Sequence, residues 1–181
     1  MGFSTDSLCG GISQRARMKP STSLNARISA YKKVFASGEI QKTHQKLVGI
    51  VQNLRTEFSK KYKGKFSVAN VMHGYMDFTY FYMQDDYLKK NKLKLAIVFN
   101  HRQTSFELWL LGQTKVVQSH YWEKLKGVKW VNKEVMPEYS IFEIVLLATP
   151  DFDNPTTLSK SVHSQFQVLS QKIFNTLEAY E

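Results

Sequence analysis

The sequence is poor in the residues that usually betray a function. Its 181 residues hold one cysteine, Cys9, and four prolines. A single thiol excludes an internal disulfide framework and any zinc cluster built on cysteines. It stands in the Gly-rich stretch "SLCGG", a poor setting for a catalytic nucleophile. No signal-peptide pattern is in view, so a reducing cytoplasm is the expected location. No apolar run approaches the roughly 18 to 20 residues of a membrane span, so no membrane partner is expected. There is no Walker loop, GxGxxG, GxSxG or HExxH. The histidines His44, His73, His101, His120 and His163 are dispersed without ligand spacing, so neither a metal nor a cofactor is expected. Acidic residues are also scarce, 15 against 25 Lys and Arg, for a net charge of +10. That surplus leaves room for a polyanionic partner such as nucleic acid, although the lysines are scattered as on a solubilising surface.

What is present is a foldable core: 43% hydrophobic and 13% aromatic residues. Residues 1–23 are Ser- and Gly-rich without apolar periodicity and read as a flexible leader, with Met18 a candidate internal start. Residues 24–181 read as one globular domain. Ile28, Tyr31, Val34 and Phe35 recur at helical steps, and Gly38 interrupts them. Ile40, His44, Leu47, Ile50, Val51, Leu54 and Phe58 then form one face of a long helix, which Gly64 caps. Beyond Gly64 the period falls to two. "KFSVANVMH" and "YMDFTYFYM" read as strands, "QDDYLKKNK" as a polar connection with room for a helical turn. "LKLAIVFNH" and "SFELWLLG" form a hairpin around "HRQTS". "QTKVVQSHYWEKLKG" returns to helix spacing, "SIFEIVLLATP" is a strand closed by Pro150, and Leu158 to Leu177 mark a last helix. The fold class is α+β (mixed α/β): a sheet of about four to five strands covered by helices, in the order α-β-β-β-α-β-α.

Two acids stand among apolar neighbours. In "GYMDFTYFYM", alternation puts Tyr75, Asp77, Thr79 and Phe81 on one face and Met76, Phe78, Tyr80 and Tyr82 on the other. Both faces are largely apolar, as in a central strand covered on both sides. A carboxylate there needs a partner, because an isolated buried charge costs several kcal/mol or more. Glu107 in "FELWLL" poses the same question, sharing its face with Trp109. Asp77 and Glu107 are therefore expected close together on neighbouring strands, as a structural pair or as the acids of a metal-dependent hydrolase. With Asn100, His101 and Trp109 they make the candidate site. A second candidate is "HYWEKLKGVKW", where Tyr121, Trp122 and Trp130 interleave with Lys124, Lys126 and Lys129. Such a segment can stack on bases and neutralise phosphates, or simply pack an amphipathic helix on the sheet.

The stretches "YKKVFASGEIQKTHQKLVGIVQNLRTEF", "GYMDFTYF", "KLAIVFNHRQTSFELWLLGQTKVVQSHYW" and "DFDNP" resemble an uncharacterised bacterial family, a domain of unknown function, over about residues 28–155. The resemblance implies a bacterial, cytoplasmic, single-domain protein and carries no catalytic residues with it. The element order also resembles that of the PD-(D/E)XK nuclease-like superfamily. There Glu107 would be an acid, but Trp109 stands where the catalytic lysine belongs, and the preceding strand ends in Asn100-His101. The leading expectation is a non-enzymatic domain binding a small molecule or a protein. A nucleic-acid-associated protein with a nuclease-like fold, and a hydrolase using Asp77 and Glu107, are the alternatives.

Overall fold

The computed structural model describes residues 23–180. Most of the expected leader, with Cys9 and Met18, lies outside the described residues. The chain divides into two compact units between Gln41 and Lys42. In the first, α1 spans Leu24–Phe35, and its first turn is capped by Ser23, whose Oγ accepts from the Ala26 N–H at 3.2 Å. The helix buries no residue. Gly38, at φ +74°, ends the connection to α2, Glu39–Lys61.

In the second unit follow β1 (Ser67–Val68), β2 (Phe78–Gln84), α3 (Asp86–Lys90), β3 (Leu93–Asn100), β4 (Ser105–Gly112), α4 (Lys115–Leu125), β5 (Phe142–Leu147) and α5 (Pro155–Ala179). The strands make one antiparallel sheet in sequence order, β1-β2-β3-β4-β5. The α+β class and the element order are as the sequence indicated. "KFSVANVMH" is less regular than a strand: only Ser67 and Val68 pair with β2, and an isolated bridge joins Met72 to Tyr80. Among the described residues no helix is long and apolar enough to cross a membrane.

One face of the sheet carries the main core. Phe81, Met83, Leu95, Ile97, Phe99, Leu108 and Leu110 pack against Val51, Leu54 and Phe58 of α2 and Leu158, Val162, Phe166 and Ile173 of α5. Phe58 stands at its centre, with ring centroids 5.5 Å from Phe81, 5.0 Å from Phe166 and 4.2 Å from His163. The other face holds a second, smaller cluster of Ala96, Val98, Trp109 and Leu111, bordered by Phe78, Tyr80 and Tyr82. All of these are strand residues; no helix residue belongs to the cluster. This corrects the reading of the aromatic stretch as a strand covered on both sides. In β2, buried Phe81 and Met83 alternate with half-buried Phe78, Tyr80 and Tyr82. Tyrosine reads as apolar in a periodicity count, yet its hydroxyl lets the ring stand at a wet surface.

Candidate functional site: an aromatic trough on the sheet

The second face is shaped by an unequal distribution of side-chain size. Along β3 its inward residues are Ala96 and Val98. Tyr82 lies opposite Ala96 and Tyr80 opposite Val98 on β2; Trp109 lies opposite Ala96 on β4. Small side chains on the central strand between large rings on its neighbours leave a trough. At its base Ala96 and Val98 are 0% and 1% exposed, covered by the rings packed on them, and the cavity above, lined by Tyr80, Tyr82 and Trp109, measures about 750 Å³. Phe78 closes one end, its ring 4.9 Å from Trp109 in a T-shaped contact, with Tyr139 edge-on to Phe78 at 6.5 Å. Lys94 stands toward the other end, its Nζ 5.0 Å from the Tyr82 ring centroid. Burial and a hydrogen bond with Tyr80 push the Tyr82 phenol above the ordinary tyrosine range, so it stays protonated at neutral pH.

Asp77 lies outside the strand. β2 begins at Phe78, and Asp77 occupies the exposed turn before it. Its Oδ1 accepts the backbone N–H groups of Phe78 at 2.7 Å and Tyr75 at 3.0 Å. Those two bonds hold its carboxyl below the usual carboxylate range, with a smaller contribution from His101. The turn needs Gly74: at φ +62°, a Cβ there would meet the Phe78 carbonyl oxygen at 2.1 Å. The expected pairing with Glu107 also fails. β3 lies between β2 and β4, so Asp77, in the turn before β2, and Glu107, on β4, are not on neighbouring strands; β2 and β4 are roughly 9 to 10 Å apart, two strand spacings. Asp77 meets the candidate set elsewhere: its carbonyl accepts the His101 N–H at 2.9 Å.

Glu107 is buried, 6% exposed. Its Oε1 accepts from Asn100 Nδ2 at 3.0 Å and Ser105 Oγ at 3.2 Å, and its Oε2 from Trp109 Nε1 at 2.7 Å. The Asn100 Oδ1 accepts in turn from the N–H groups of Arg102 and Gln103, both at 3.1 Å. Asn100, Glu107 and Trp109 are thus one network, which ties the β3–β4 loop to the indole in the trough wall. Trp109, in the place where a nuclease-like lysine would stand, donates to the acid. Glu143, opposite Trp109 on β5, accepts from Ser140 Oγ at 2.9 Å. Burial, and then the charge of Glu107, push its carboxyl above the usual range. Among the described residues no group of three or more His, Cys, Asp or Glu is placed to hold a metal ion.

His101 sits on the helix-covered side. Its Nε2 is 2.8 Å from Thr79 Oγ1, which donates to the His73 carbonyl at 3.1 Å, so the imidazole Nε2–H is the donor to Thr79. Its ring stacks on His44 at 5.0 Å. Burial and His44 hold its pKa below the ordinary histidine value, against a weaker upward pull from Asp77.

The lysine-aromatic segment is engaged with the protein itself. Tyr121 Oη donates to Asn91 Oδ1 at 3.2 Å and Trp122 Nε1 to the Asn132 carbonyl at 2.9 Å, while Trp130 packs edge-on to Phe142 at 4.5 Å. Lys126 pairs with Glu123 at 2.5 Å and Lys124 donates to the Tyr180 carbonyl at 3.3 Å; Lys129 is exposed. Sequence reasoning named Trp109 but missed Tyr75, Phe78, Tyr80, Tyr82, Ala96, Val98 and Tyr139. The signal that could have found them is the pairing of aromatics two residues apart on one strand with small residues two apart on the next. It becomes visible only when the register is known.

No curated protein and no solved structure matches the chain. Residues 24–177 match the model of the family described as domain of unknown function DUF7000, and the chain belongs to that family.

Proposed function

We propose that this chain is a non-enzymatic binding domain acting in the cytoplasm, and that the trough takes a small ring-bearing organic molecule. The observation that carries this reading is a cavity lined by the half-buried rings of Phe78, Tyr80 and Tyr82 over the fully buried Ala96 and Val98. Half-buried rings lining a cavity suit a flat ligand, which stacks or meets them edge-on. The cavity of about 750 Å³ falls within the roughly 300–1,000 Å³ usual for small-molecule sites. Its few polar groups, Asp77, Lys94, Gln113 and the tyrosine hydroxyls, can set orientation. The acids that the hydrolase alternative would use are otherwise engaged: Asp77 accepts two backbone N–H groups of its turn, and Glu107 accepts from three neutral donors. The nucleic-acid reading loses ground because the side chains meant to stack on bases are spent on Asn91, Asn132 and Phe142.

The test uses N-phenyl-1-naphthylamine, a neutral dye that brightens on leaving water for an apolar site. Saturable one-site brightening by the wild type, lost in Tyr80→Ala/Tyr82→Ala with an unchanged circular dichroism spectrum, is the expected result. Both tyrosines are half-buried outside the main core, so the double variant keeps its fold. Undiminished binding by that variant would overturn the assignment. So would a trough found occupied by a second copy of the chain, read as a dimer in sedimentation that the same substitutions dissolve.

A further inference from the structure

The two ends of the trough differ in charge, and the end nearer the β2 turn is unusual for so basic a protein. Asp77 lines it, with Oδ1 bound to backbone N–H groups. No lysine or arginine among the described residues pairs with that carboxylate. Lys94 is too remote to neutralise it: from Lys94 to Asn100 β3 runs roughly 20 Å, more than twice the Debye length of about 8 Å at physiological salt. The rings of Tyr75, Phe78 and Tyr139 line the same cavity as the carboxylate, with Trp109 and Tyr139 edge-on to Phe78. Glu138, the chain neighbour of Tyr139, is the first cause of the upward shift of its phenol, and Asp77 contributes more weakly. Tyr75 is 96% exposed, on a turn where Gly74 and Met76 both have positive φ. A ring almost wholly in water, at the mouth of a cavity, has no packing role in the free protein.

Resting on the trough being a ligand site, we propose that its Asp77 end is a cage for an organic ammonium group, so that the ligand is a cation. Aromatic faces carry negative quadrupole potential and attract ammonium groups, most strongly where water is excluded. The carboxylate supplies the formal countercharge. Tyr75 is the ring free to come down over the bound cation. A quaternary or alkylated ammonium suits this arrangement better than a bare one, because it is weakly hydrated and its methyl groups meet ring faces. The ring-bearing part of the ligand then lies against the rings of Tyr80 and Tyr82.

The test is competition against N-phenyl-1-naphthylamine by phenyltrimethylammonium, by its neutral isostere tert-butylbenzene, and by benzoate. The expected result is that the cation competes about tenfold better than the isostere and that benzoate is worst. Asp77→Asn keeps an acceptor for the Tyr75 and Phe78 N–H groups, so the turn survives while the charge goes. It should remove the cation's advantage over the isostere, both competitors being read against the dye affinity of the variant itself. Tyr75→Ala should weaken the cation several-fold with no change in melting temperature. Equal competition by cation and isostere, or an advantage that survives Asp77→Asn, would overturn the cage while leaving the trough as a site for neutral rings. Failure of the dye itself to bind would overturn both.

Discussion

Glu107→Gln measures whether the buried carboxylate belongs to the architecture. The side chain keeps its shape but exchanges one acceptor oxygen for an NH₂ group. If the amide nitrogen replaces Oε2, it faces the Trp109 indole N–H, now 2.7 Å from an acceptor; if it replaces Oε1, it faces Asn100 Nδ2 at 3.0 Å. In either orientation a donor meets a donor at a site 6% exposed, and the remaining bonds lose their charge assistance. Hydrogen bonds to charged groups are worth about 1.5–3 kcal/mol each, and a buried donor left unmade costs about 1–3 kcal/mol. Relief of the repulsion with Glu143 returns a few tenths of a kcal/mol on the scale of partly exposed charge pairs. The net destabilisation is about 2 kcal/mol, or about 4–8 °C in Tm for a domain of this size. Urea unfolding followed by circular dichroism gives the free energy, and differential scanning fluorimetry the Tm. A variant as stable as the wild type would refute the network as described. A Tm raised by Mg²⁺ or Mn²⁺ in the wild type and not in the variant would refute it differently, by making Glu107 a metal ligand.

Phe58→Ala removes a fully buried ring from contact with Phe81, His163 and Phe166 and should cost about 3–5 kcal/mol in urea unfolding. Gly74→Ala places a Cβ against the Phe78 carbonyl oxygen at a positive φ; the turn must rearrange, so dye affinity should fall more than Tm does. His101 and His163 both have folded pKa values below the ordinary histidine value, chiefly through burial. Lys61 lowers that of His163 further, while Glu57 pulls it up. The unfolded chain therefore binds more protons in acid, and stability should be flat above about pH 6.5 and fall as pH drops below it. Melting curves between pH 7.5 and 5 check this, and the decline should flatten in His101→Gln/His163→Gln; an unchanged decline would place its origin elsewhere.

Where the sequence was legible, a local feature and a long-range one agreed. The end of α2 could be read because Gly64 follows the last turn and has φ +83°, a conformation glycine adopts at little cost. The β3–β4 hairpin could be read because two apolar runs of strand length flank a polar loop, although Asn100 supplies the loop's acceptor without an Asn-Gly turn. The site was less legible. Asp77 was read as the middle of a strand because "GYMDFTYFYM" continues a period of two through it. What ends the strand at Phe78 is the Asp77 carboxylate capturing two backbone N–H groups, a bond that composition does not announce. For Glu107 the sequence raised the right requirement, a partner for a buried charge. Its partners, at positions 100, 105 and 109, come together only through hairpin register and an in-strand reach of two residues.

The side chains on the second face also bear on why the trough exists. A sheet face meant only for water would alternate charged and polar residues with the buried ones. A face meant for a covering helix would fill its central strand with large aliphatic residues, since packed layers leave few voids. This face does neither. Its central strand is small at Ala96 and Val98, and the bulk is placed on the two flanking strands as rings that tolerate water at their edges. Glu107 then fixes the Trp109 indole and Asp77 fixes the turn beneath Tyr75 and Phe78, so the wall and the end of the trough are held by hydrogen bonds. These rings bury Ala96 and Val98, but their own half-exposed faces gain little for folding. Holding them in place lowers the entropy lost when something flat enters, which is why the same feature supports the binding reading.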